Sequence, residues 1–166
     1  MELKLALDRL RSNPDFQQWL QQNNAFFSYA FTMVEDQGEG VWQLGYYIKK
    51  EDKARSFVIE HDKITATQNE EVFKKPDANV LELEIKKVKL SFAQIMDALD
   101  VFQRKHYPHE MPMKTIVILQ NIEKLGNVWN ITTITKSFKT INVKVNAADG
   151  KILDYHIDSI FDFQKK

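Results

Sequence analysis

The sequence contains no cysteine, few glycines and prolines, and no excess of charge of either sign. Its 166 residues include 0 Cys, 5 Gly and 4 Pro, and 23 basic side chains balance 23 acidic ones. The lack of cysteine excludes disulfide bonds, thiolate metal sites and cysteine nucleophiles. The low glycine and proline content excludes collagen-like and proline-rich chains. Because the net charge is zero, no overall positive field favours binding to nucleic acid or to an anionic membrane.

Long hydrophobic runs are also lacking. No stretch approaches the ~18 consecutive apolar residues that a membrane-spanning helix requires. Residues 1–9 carry neither a basic leader nor the apolar core of a secretory signal. We therefore expect a cytoplasmic protein with no membrane partner. With 43% hydrophobic and 11% aromatic residues, the chain can bury a sizeable core, and its length fits one ordinary domain or two small ones.

Hydrophobic spacing predicts two helical regions, each followed by strands. Apolar side chains within residues 3–10 share one helix face. Further along, Ser91 followed by Gln94 forms a capping-box pattern that marks the start of a second helical region. Strand-like alternation follows both regions, over residues 26–67 and again over 113–157. We predict an α+β protein with two repeats, each a helix packed on a four-stranded antiparallel β-sheet.

The repeated order of helix and strands indicates an internal duplication. Aligning the halves, with one glycine skipped, gives these matched pairs: Trp42 with Trp129, Val58 with Val145, Lys63-Ile64 with Lys151-Ile152, and Phe73 with Phe161. Proline and turn-forming residues favour a linker between the halves. We therefore divide the chain into a first repeat at residues 1–75, a linker at 76–80 and a second repeat at 81–166.

The second half resembles a PepSY domain. The helix that begins after Ser91 is followed by I-N-V-K-V-N-A-A-D-G-K-I-L at residues 141–153, in which Asn146 and Asp149-Gly150-Lys151-Ile152 match the strand-turn-strand that closes this family's unit. The first half resembles the family more weakly, with His61-Asp62-Lys63-Ile64 in place of the glycine turn. The resemblance implies PepSY/cystatin-like units, a binding or inhibitory role, and no catalytic residues to carry over.

Two clusters that contain histidine are candidates for metal binding or acid–base catalysis. Pro108 breaks the helix between His106 and His109, and no further ligand has metal-binding spacing, so we predict no metal site. Glu60-His61-Asp62 falls in a predicted turn, with no serine or threonine placed for activation. We predict no catalytic residues, no cofactor and no enzyme activity.

A basic run at Lys86-Lys87-Val88-Lys89 is a candidate for nucleic-acid binding. It lies next to the acidic residues Glu82 and Glu84, in a chain without net charge. We interpret the run as a solvated edge strand protected by its lysines and predict no nucleic-acid partner.

Strand alternation separates buried from exposed aromatic residues. Trp42 and Tyr46 share one strand face, whereas Tyr47 lies on the other face beside Gly45. We interpret Trp42 and its counterpart Trp129 as core residues. We predict that Tyr47 and Gly45 form an exposed binding contact.

The leading functional hypothesis is a non-catalytic binding or regulatory module that acts on a protein partner. Contact would be made through an edge strand or through the sheet face around Tyr47, and the chain itself would be a monomer or a weak homodimer. The alternative is a carrier of a small apolar ligand, with a cavity between helix and sheet that Phe27, Trp42 and Met96 leave unfilled. A pocket would favour the carrier, and an uncovered apolar sheet surface would favour the module.

Overall fold

The computed structural model describes residues 1–35, 40–72 and 74–165, the last three without their side chains. Within these ranges the chain forms three α-helices, which are α1 (Leu3–Arg11), α2 (Pro14–Asn23) and α3 (Phe92–His106). The strands, in chain order, are β1 (Phe26–Glu35), β2 (Trp42–Ile48), β3 (Lys53–Glu60), β4 (Lys63–Ala66), β5 (Glu70–Glu71), β6 (Pro112–Ile122), β7 (Gly126–Thr135), β8 (Lys139–Asn146) and β9 (Ile152–Ser159). Short 3₁₀ helices occupy Ile85–Lys87 and Ile160–Lys165.

All nine of these strands belong to one antiparallel sheet. The order across the sheet is β4-β3-β2-β1-β6-β7-β8-β9, and β5 pairs with β3. The predicted α+β class is therefore confirmed, but the prediction of two four-stranded sheets is wrong. Residues 29–35 of β1 pair with residues 114–120 of β6. This pairing removes the two strand edges that separate small sheets would have left exposed.

The two halves follow the same strand order outward from the centre of the sheet. This order is β1, β2, β3 and β4 on one side, and β6, β7, β8 and β9 on the other. The first strand of each half lies at the centre, and the last strand of each half lies at an edge. At the centre, Ala30 lies opposite Leu119 and Thr32 lies opposite Val117. In the alignment of the two halves, Ala30 corresponds to Val117 and Thr32 corresponds to Leu119. If the halves are exchanged, the pair Ala30–Leu119 therefore becomes the pair Val117–Thr32. β1 and β6 therefore occupy interchangeable positions about the centre of the sheet.

Strand register corrects one matched pair of the aligned halves. Trp42 lies opposite Ile59, and Trp129 lies opposite Val145. Ile59 is therefore the counterpart of Val145, and the predicted match of Val58 with Val145 is wrong by one residue. A shift of one residue matters because neighbouring positions on a strand face opposite sides of the sheet.

The next matched pair agrees with the strand register. Ile64 lies opposite Ile59, and Ile152 lies opposite Val145. The two isoleucines therefore hold corresponding places in β4 and β9. Phe73, which the sequence alignment matched with Phe161, lies outside the described residues.

Side-chain caps explain where two of the helices begin. The side chain of Asn13 accepts an amide hydrogen bond from the first turn of α2, and Pro14 occupies the first helical position. At α3, Ser91 and Gln94 exchange hydrogen bonds in a complete capping box, which confirms the helix start predicted there. Asn24, in the left-handed conformation, ends α2.

The helices described here contribute to a single core on one face of the sheet. Ring contacts at one end of this core join α2 to the sheet, and their members are Phe16, Trp19, Phe27, Tyr46 and Phe57. Buried residues of α1 and α3 belong to the same cluster, and these are Leu3, Ala6, Leu7, Leu10, Ile95, Leu99 and Phe102. The core therefore runs across both halves of the chain, and its burial stabilises them together.

Residues 74–91, the described part of the connection that leads up to α3, cross between the halves without forming a strand. Leu83 is buried in the core, and its amide donates to the carbonyl of Phe27 at 2.8 Å. The amides of Lys89 and Leu90 both approach the carbonyl of Ala147, at 2.9 and 3.2 Å. The edge strand predicted at residues 86–89 is therefore wrong, because Ile85–Lys87 form a 3₁₀ helix and residues 88–89 are irregular. The linker predicted at 76–80 falls within this connection, and the boundaries drawn there stay predictions.

One buried polar contact between α3 and the sheet gives a stability prediction. Gln103 Nε2 donates to Thr133 Oγ1 at 2.7 Å, and both residues are buried. Thr133→Val leaves this amide donor without its partner, so we expect the free energy of unfolding to fall by about 1–3 kcal/mol in urea denaturation. Thr140→Val, at a half-buried position of β8, is the control and should change it by less than about 0.5 kcal/mol. Equal losses in the two variants would contradict the assignment.

Candidate functional site

Tyr47 is buried, so the prediction that it forms an exposed contact is wrong. Its relative exposure is 8%, and its ring lies 5.4 Å from that of Phe26 between centroids. Its hydroxyl donates to the carboxylate of Asp52, which lies 3.5 Å from Lys74 Nζ. Strand alternation places Tyr47 on the face opposite Trp42, as predicted. The chain after β4 returns to this end of the sheet, where β5 pairs with β3 at Ala54, the residue opposite Tyr47.

Gly45 is also buried, and it makes room for a neighbouring ring. A Cβ atom at position 45 would lie 2.0 Å from a ring carbon of Tyr29. The Tyr29 hydroxyl is 2.7 Å from Ser56 Oγ, and Gln43 Nε2 donates to the same Oγ at 2.9 Å. The predicted pair of contact residues therefore offers no exposed aromatic surface, and Gly45 serves the packing of Tyr29.

The hydrogen bond between Tyr47 and Asp52 shifts the pKa of both side chains. It raises the pKa of Tyr47 above its ordinary value and lowers the pKa of Asp52. Because the pKa of Asp52 is lower in the folded chain than in the unfolded chain, its contribution to stability is present above the unfolded pKa of about 3.9. That contribution is lost as the pH falls through the folded pKa.

Burial of Tyr47 gives a prediction about stability. We expect Tyr47→Ala to lower the free energy of unfolding by about 3 kcal/mol, since it removes a buried aromatic ring. Tyr47→Phe should lower the free energy of unfolding by less, because only the hydrogen bond is lost. The difference in stability between Tyr47→Phe and the wild type should narrow as Asp52 becomes protonated. Denaturation followed by circular dichroism at pH 7 and pH 3 measures both effects. Unchanged stability of Tyr47→Ala at pH 7 would show that the side chain is exposed.

Two tryptophans of the core, one on β2 and one on β7, share one aromatic neighbour. Trp42 and Trp129 are each 1% exposed, which confirms their interpretation as core residues. The ring of Phe92, the first residue of α3, lies 5.3 Å from Trp42 and 6.3 Å from Trp129 between centroids. The start of α3 is therefore placed over the centre of the sheet.

The two indole N–H groups differ in hydrogen bonding. Trp42 Nε1 donates to the carbonyl oxygen of Met1 at 2.7 Å. Trp129 Nε1 is buried and has no hydrogen-bond partner anywhere in the described part of the chain. A buried N–H without an acceptor costs about 1–3 kcal/mol. Trp129 is thus an exception to the rule that buried polar groups are paired.

A pocket of about 420 Å³ lies against Trp129. It separates α1 from the connection at residues 85–92. Its apolar lining consists of Leu3, Leu7, Ile85, Val88, Leu90 and Phe92. Its charged lining consists of Glu2, Lys4, Asp8, Arg11, Lys86 and Lys89. The volume falls within the range of about 300–1,000 Å³ that is typical of small-molecule sites.

The position of this pocket differs from the cavity expected for an apolar-ligand carrier. Phe27 and Trp42 are buried, and Met96 packs against the core. None of these three residues lines the pocket beside Trp129. The cavity expected at these residues stays a prediction, and the pocket described here lies instead between α1 and residues 85–92.

The difference between the two indoles gives a further prediction. Trp42→Phe and Trp129→Phe remove the same ring volume, but only Trp42→Phe removes a hydrogen bond. We expect Trp42→Phe to lower the free energy of unfolding by about 1 kcal/mol more than Trp129→Phe does. Urea denaturation of both variants under one buffer condition measures this difference. A larger loss for Trp129→Phe would show that its N–H is already paired in the protein.

The edge strand β9 carries an exposed apolar surface. Within the described ranges β9 pairs only with β8. Ile152 and Tyr155 are 42% and 46% exposed, and Val101 on α3 is 68% exposed. An open groove of about 390 Å³ between α3 and β9 is lined by these three side chains together with Phe102 and others. One edge of the sheet therefore combines unpaired backbone with apolar side chains.

Tyr155 connects this edge to α3 through aromatic contacts. Its ring lies 5.0 Å from Phe102 and 5.2 Å from His106 between centroids. The His106 ring stacks on Phe102 at 4.3 Å. His106 thus belongs to an aromatic cluster, and Glu110, from the same sequence motif, pairs with Lys139 and Ser137. In the described ranges, no three histidine, cysteine or acidic side chains come together in a group that could hold a metal.

The second histidine motif lies in the turn between β3 and β4. Arg9 forms an ion pair with Asp62 at 3.5 Å and donates to the carbonyl oxygen of His61. Glu60, His61 and Asp62 are all exposed. These contacts hold α1 against the turn.

Comparisons with known proteins bear on the fold. No protein-family model matches the chain, and no curated protein matches it in sequence. The crystal structure of a predicted lipoprotein from Clostridium difficile 630 is similar, with a TM-score of 0.54 and 11% sequence identity, over 87% of this chain and 90% of that one. At this identity the similarity shows a shared fold alone. No described helix of the present chain is long and apolar enough to cross a membrane.

Proposed function

We propose that this chain is a non-catalytic binding domain that takes an extended segment of a partner protein along the edge of β9. The observation that carries the proposal is the unpaired edge of β9 beside the exposed groove of Val101, Ile152 and Tyr155. The proposal keeps the predicted class of function and moves the contact from Tyr47 to the opposite half of the sheet.

The backbone of β9 supplies the first part of the interaction. A strand of 8 residues at a sheet edge presents a row of N–H and C=O groups. A partner segment that adds as a further strand satisfies these groups by regular hydrogen bonds. Such pairing depends little on the side chains of the partner, so it supplies affinity without defining a sequence.

The side chains on the two faces of β9 supply selectivity. On the helix face, Tyr155 contacts α3 and borders the groove with Val101. On the other face, His156 lies 3.4 Å from Asp158 and 4.0 Å from Asp154. An incoming strand therefore meets an apolar groove on one side and polar groups on the other. The matching partner segment alternates apolar and polar residues.

Substitution at the groove tests this proposal. Peptides that are selected from a random display library for binding to the wild-type chain should alternate apolar and polar residues. Their binding should slow amide hydrogen exchange in β9. Val101→Asp places a charge in the groove, and we expect it to weaken these peptides at least about tenfold, as a central interface residue does. Val41→Asp, at a residue beside β2 that is 40% exposed, should leave the affinity unchanged.

Three outcomes would contradict the proposal. The selected peptides could bind both aspartate variants equally well, or they could protect amides away from β9. In addition, analytical ultracentrifugation could show a dimer that Val101→Asp dissociates, in which case the edge takes a second copy of this chain.

We further propose that the two halves arose by duplication of one PepSY-like unit. The symmetric strand order and the corresponding places of Trp42 and Trp129 support this proposal. Poor agreement on superposition of β1–β4 with β6–β9 in a crystal structure would contradict it. The cytoplasmic location stays a prediction.

A second candidate function is the carriage of a small ligand. The pocket of about 420 Å³ beside Trp129 favours it. This pocket lies between α1 and residues 85–92, whereas the proposed peptide groove lies between α3 and β9. No residue lines both sites, so the two functions can be tested separately.

A further inference from the structure

We infer that the pocket beside Trp129 binds an anionic amphiphile, a molecule with a carboxylate head and an apolar chain, whose head accepts the indole N–H of Trp129. This inference deepens the second candidate function and is independent of peptide binding at β9. It rests on three properties of the pocket, which are an unpartnered donor, an excess of positive charge and apolar walls.

The unpartnered donor indicates which atom the ligand contributes. Trp42 and Trp129 occupy corresponding strand positions, and at Trp42 the carbonyl oxygen of Met1 accepts the indole N–H at 2.7 Å. At Trp129, which lines the pocket, no described residue accepts it. The carbonyl oxygen at Trp42 shows that an oxygen suits this donor. A ligand that brings one into the pocket removes the cost of a buried unpaired N–H.

The charges around the pocket favour a negative head. Its lining includes four cationic side chains, Lys4, Arg11, Lys86 and Lys89, and two acidic ones, Glu2 and Asp8. Across the described residues, neither Lys4 nor Lys86 forms an ion pair. Lys89 Nζ donates to the carbonyl oxygen of Lys86 at 2.9 Å, which keeps its charge at this border of the pocket. A carboxylate gains from this excess of positive charge, and hydrogen bonds to charged acceptors are stronger than neutral ones.

The walls fit an apolar chain. Leu3 and Leu7 face the pocket from α1, and Val88, Leu90 and Phe92 face it from the connection and the start of α3. Burial of an alkyl chain against such side chains gains about 0.8 kcal/mol for each CH₂ group. A chain that is both anionic and apolar matches the whole lining, whereas a purely apolar molecule leaves the Trp129 donor unpaired.

Contacts within the chain hold one wall of the pocket in place. The wall at residues 85–92 is held by the hydrogen bonds of the Lys89 and Leu90 amides to Ala147 and by the capping box of Ser91 and Gln94. These contacts fix the opening between the wall and α1. This wall therefore loses little conformational freedom on binding, which lowers the entropic cost.

Decanoate is a suitable probe, with decanol and decyltrimethylammonium as matched controls for the head. In ¹H–¹⁵N spectra at pH 7, decanoate should saturate and shift the indole N–H signal of Trp129 downfield, while the signal of Trp42 moves little. Calorimetric titration should give decanoate a higher affinity than decanol and no saturable binding of decyltrimethylammonium. The three indole signals are assigned from single Trp→Phe variants.

Substitutions in the pocket test the contributions of the Trp129 N–H and of the lysine charges separately. Trp129→Phe should weaken decanoate about tenfold, which corresponds to one hydrogen bond to a charged acceptor. Trp42→Phe, the same change at the corresponding position, should leave the affinity unchanged. Lys4→Gln combined with Lys86→Gln should weaken the binding of decanoate but not the binding of decanol. Thermal melts establish that each variant is folded before it is titrated.

The possible failures are distinguishable. If decanol binds as tightly as decanoate and the Trp129 signal does not shift, the pocket is an apolar-ligand site and the inference of an anionic head is overturned. If none of the three probes saturates, both the inference and the carrier function are overturned. Neither result bears on the peptide affinity of Val101→Asp.

Discussion

The antiparallel pairing of β1 with β6 is the contact on which the rest of this structure depends. It joins the strands of both halves into one sheet, and it places Thr32 and Ala30 opposite Val117 and Leu119 at the centre. Because the sheet is continuous, helices from both halves contribute to one core. The same pairing sends the last strand of each half to an outer edge, which is where the proposed peptide site lies.

The two halves share a strand pattern but differ in what covers it. The first half brings α1, α2 and the two residues before them to the sheet, and Met1 supplies the acceptor for Trp42. Among the described residues, the second half brings α3, preceded by the 3₁₀ helix Ile85–Lys87 and by irregular chain at residues 88–91. The corresponding acceptor for Trp129 is lacking in the described residues, and a pocket lies there instead. A departure from symmetry between related halves thus creates the candidate ligand site.

Local patterns predicted much of this fold because they depend on neighbouring residues. The Ser91 capping box gave the start of α3, and alternation gave the core faces of Trp42 and Trp129. Alternation also assigned the face of Tyr47 correctly, but it carries no information about which distant segment covers that face. The union of both halves in one sheet escaped prediction for a similar reason, since β1 and β6 are far apart in sequence. An unpaired Trp129 N–H depends on every atom around it and has no local signal.

The unequal lengths of the two outer strands limit how this protein can associate with itself. β9 has 8 residues, whereas the opposite edge, beside β3, is divided between β4 with 4 residues and β5 with 2. A sheet with two long open edges can add copies without end and grow into a fibre. With a single long edge, strand addition between two molecules uses up the edge of both, so assembly through β9 closes at a twofold dimer.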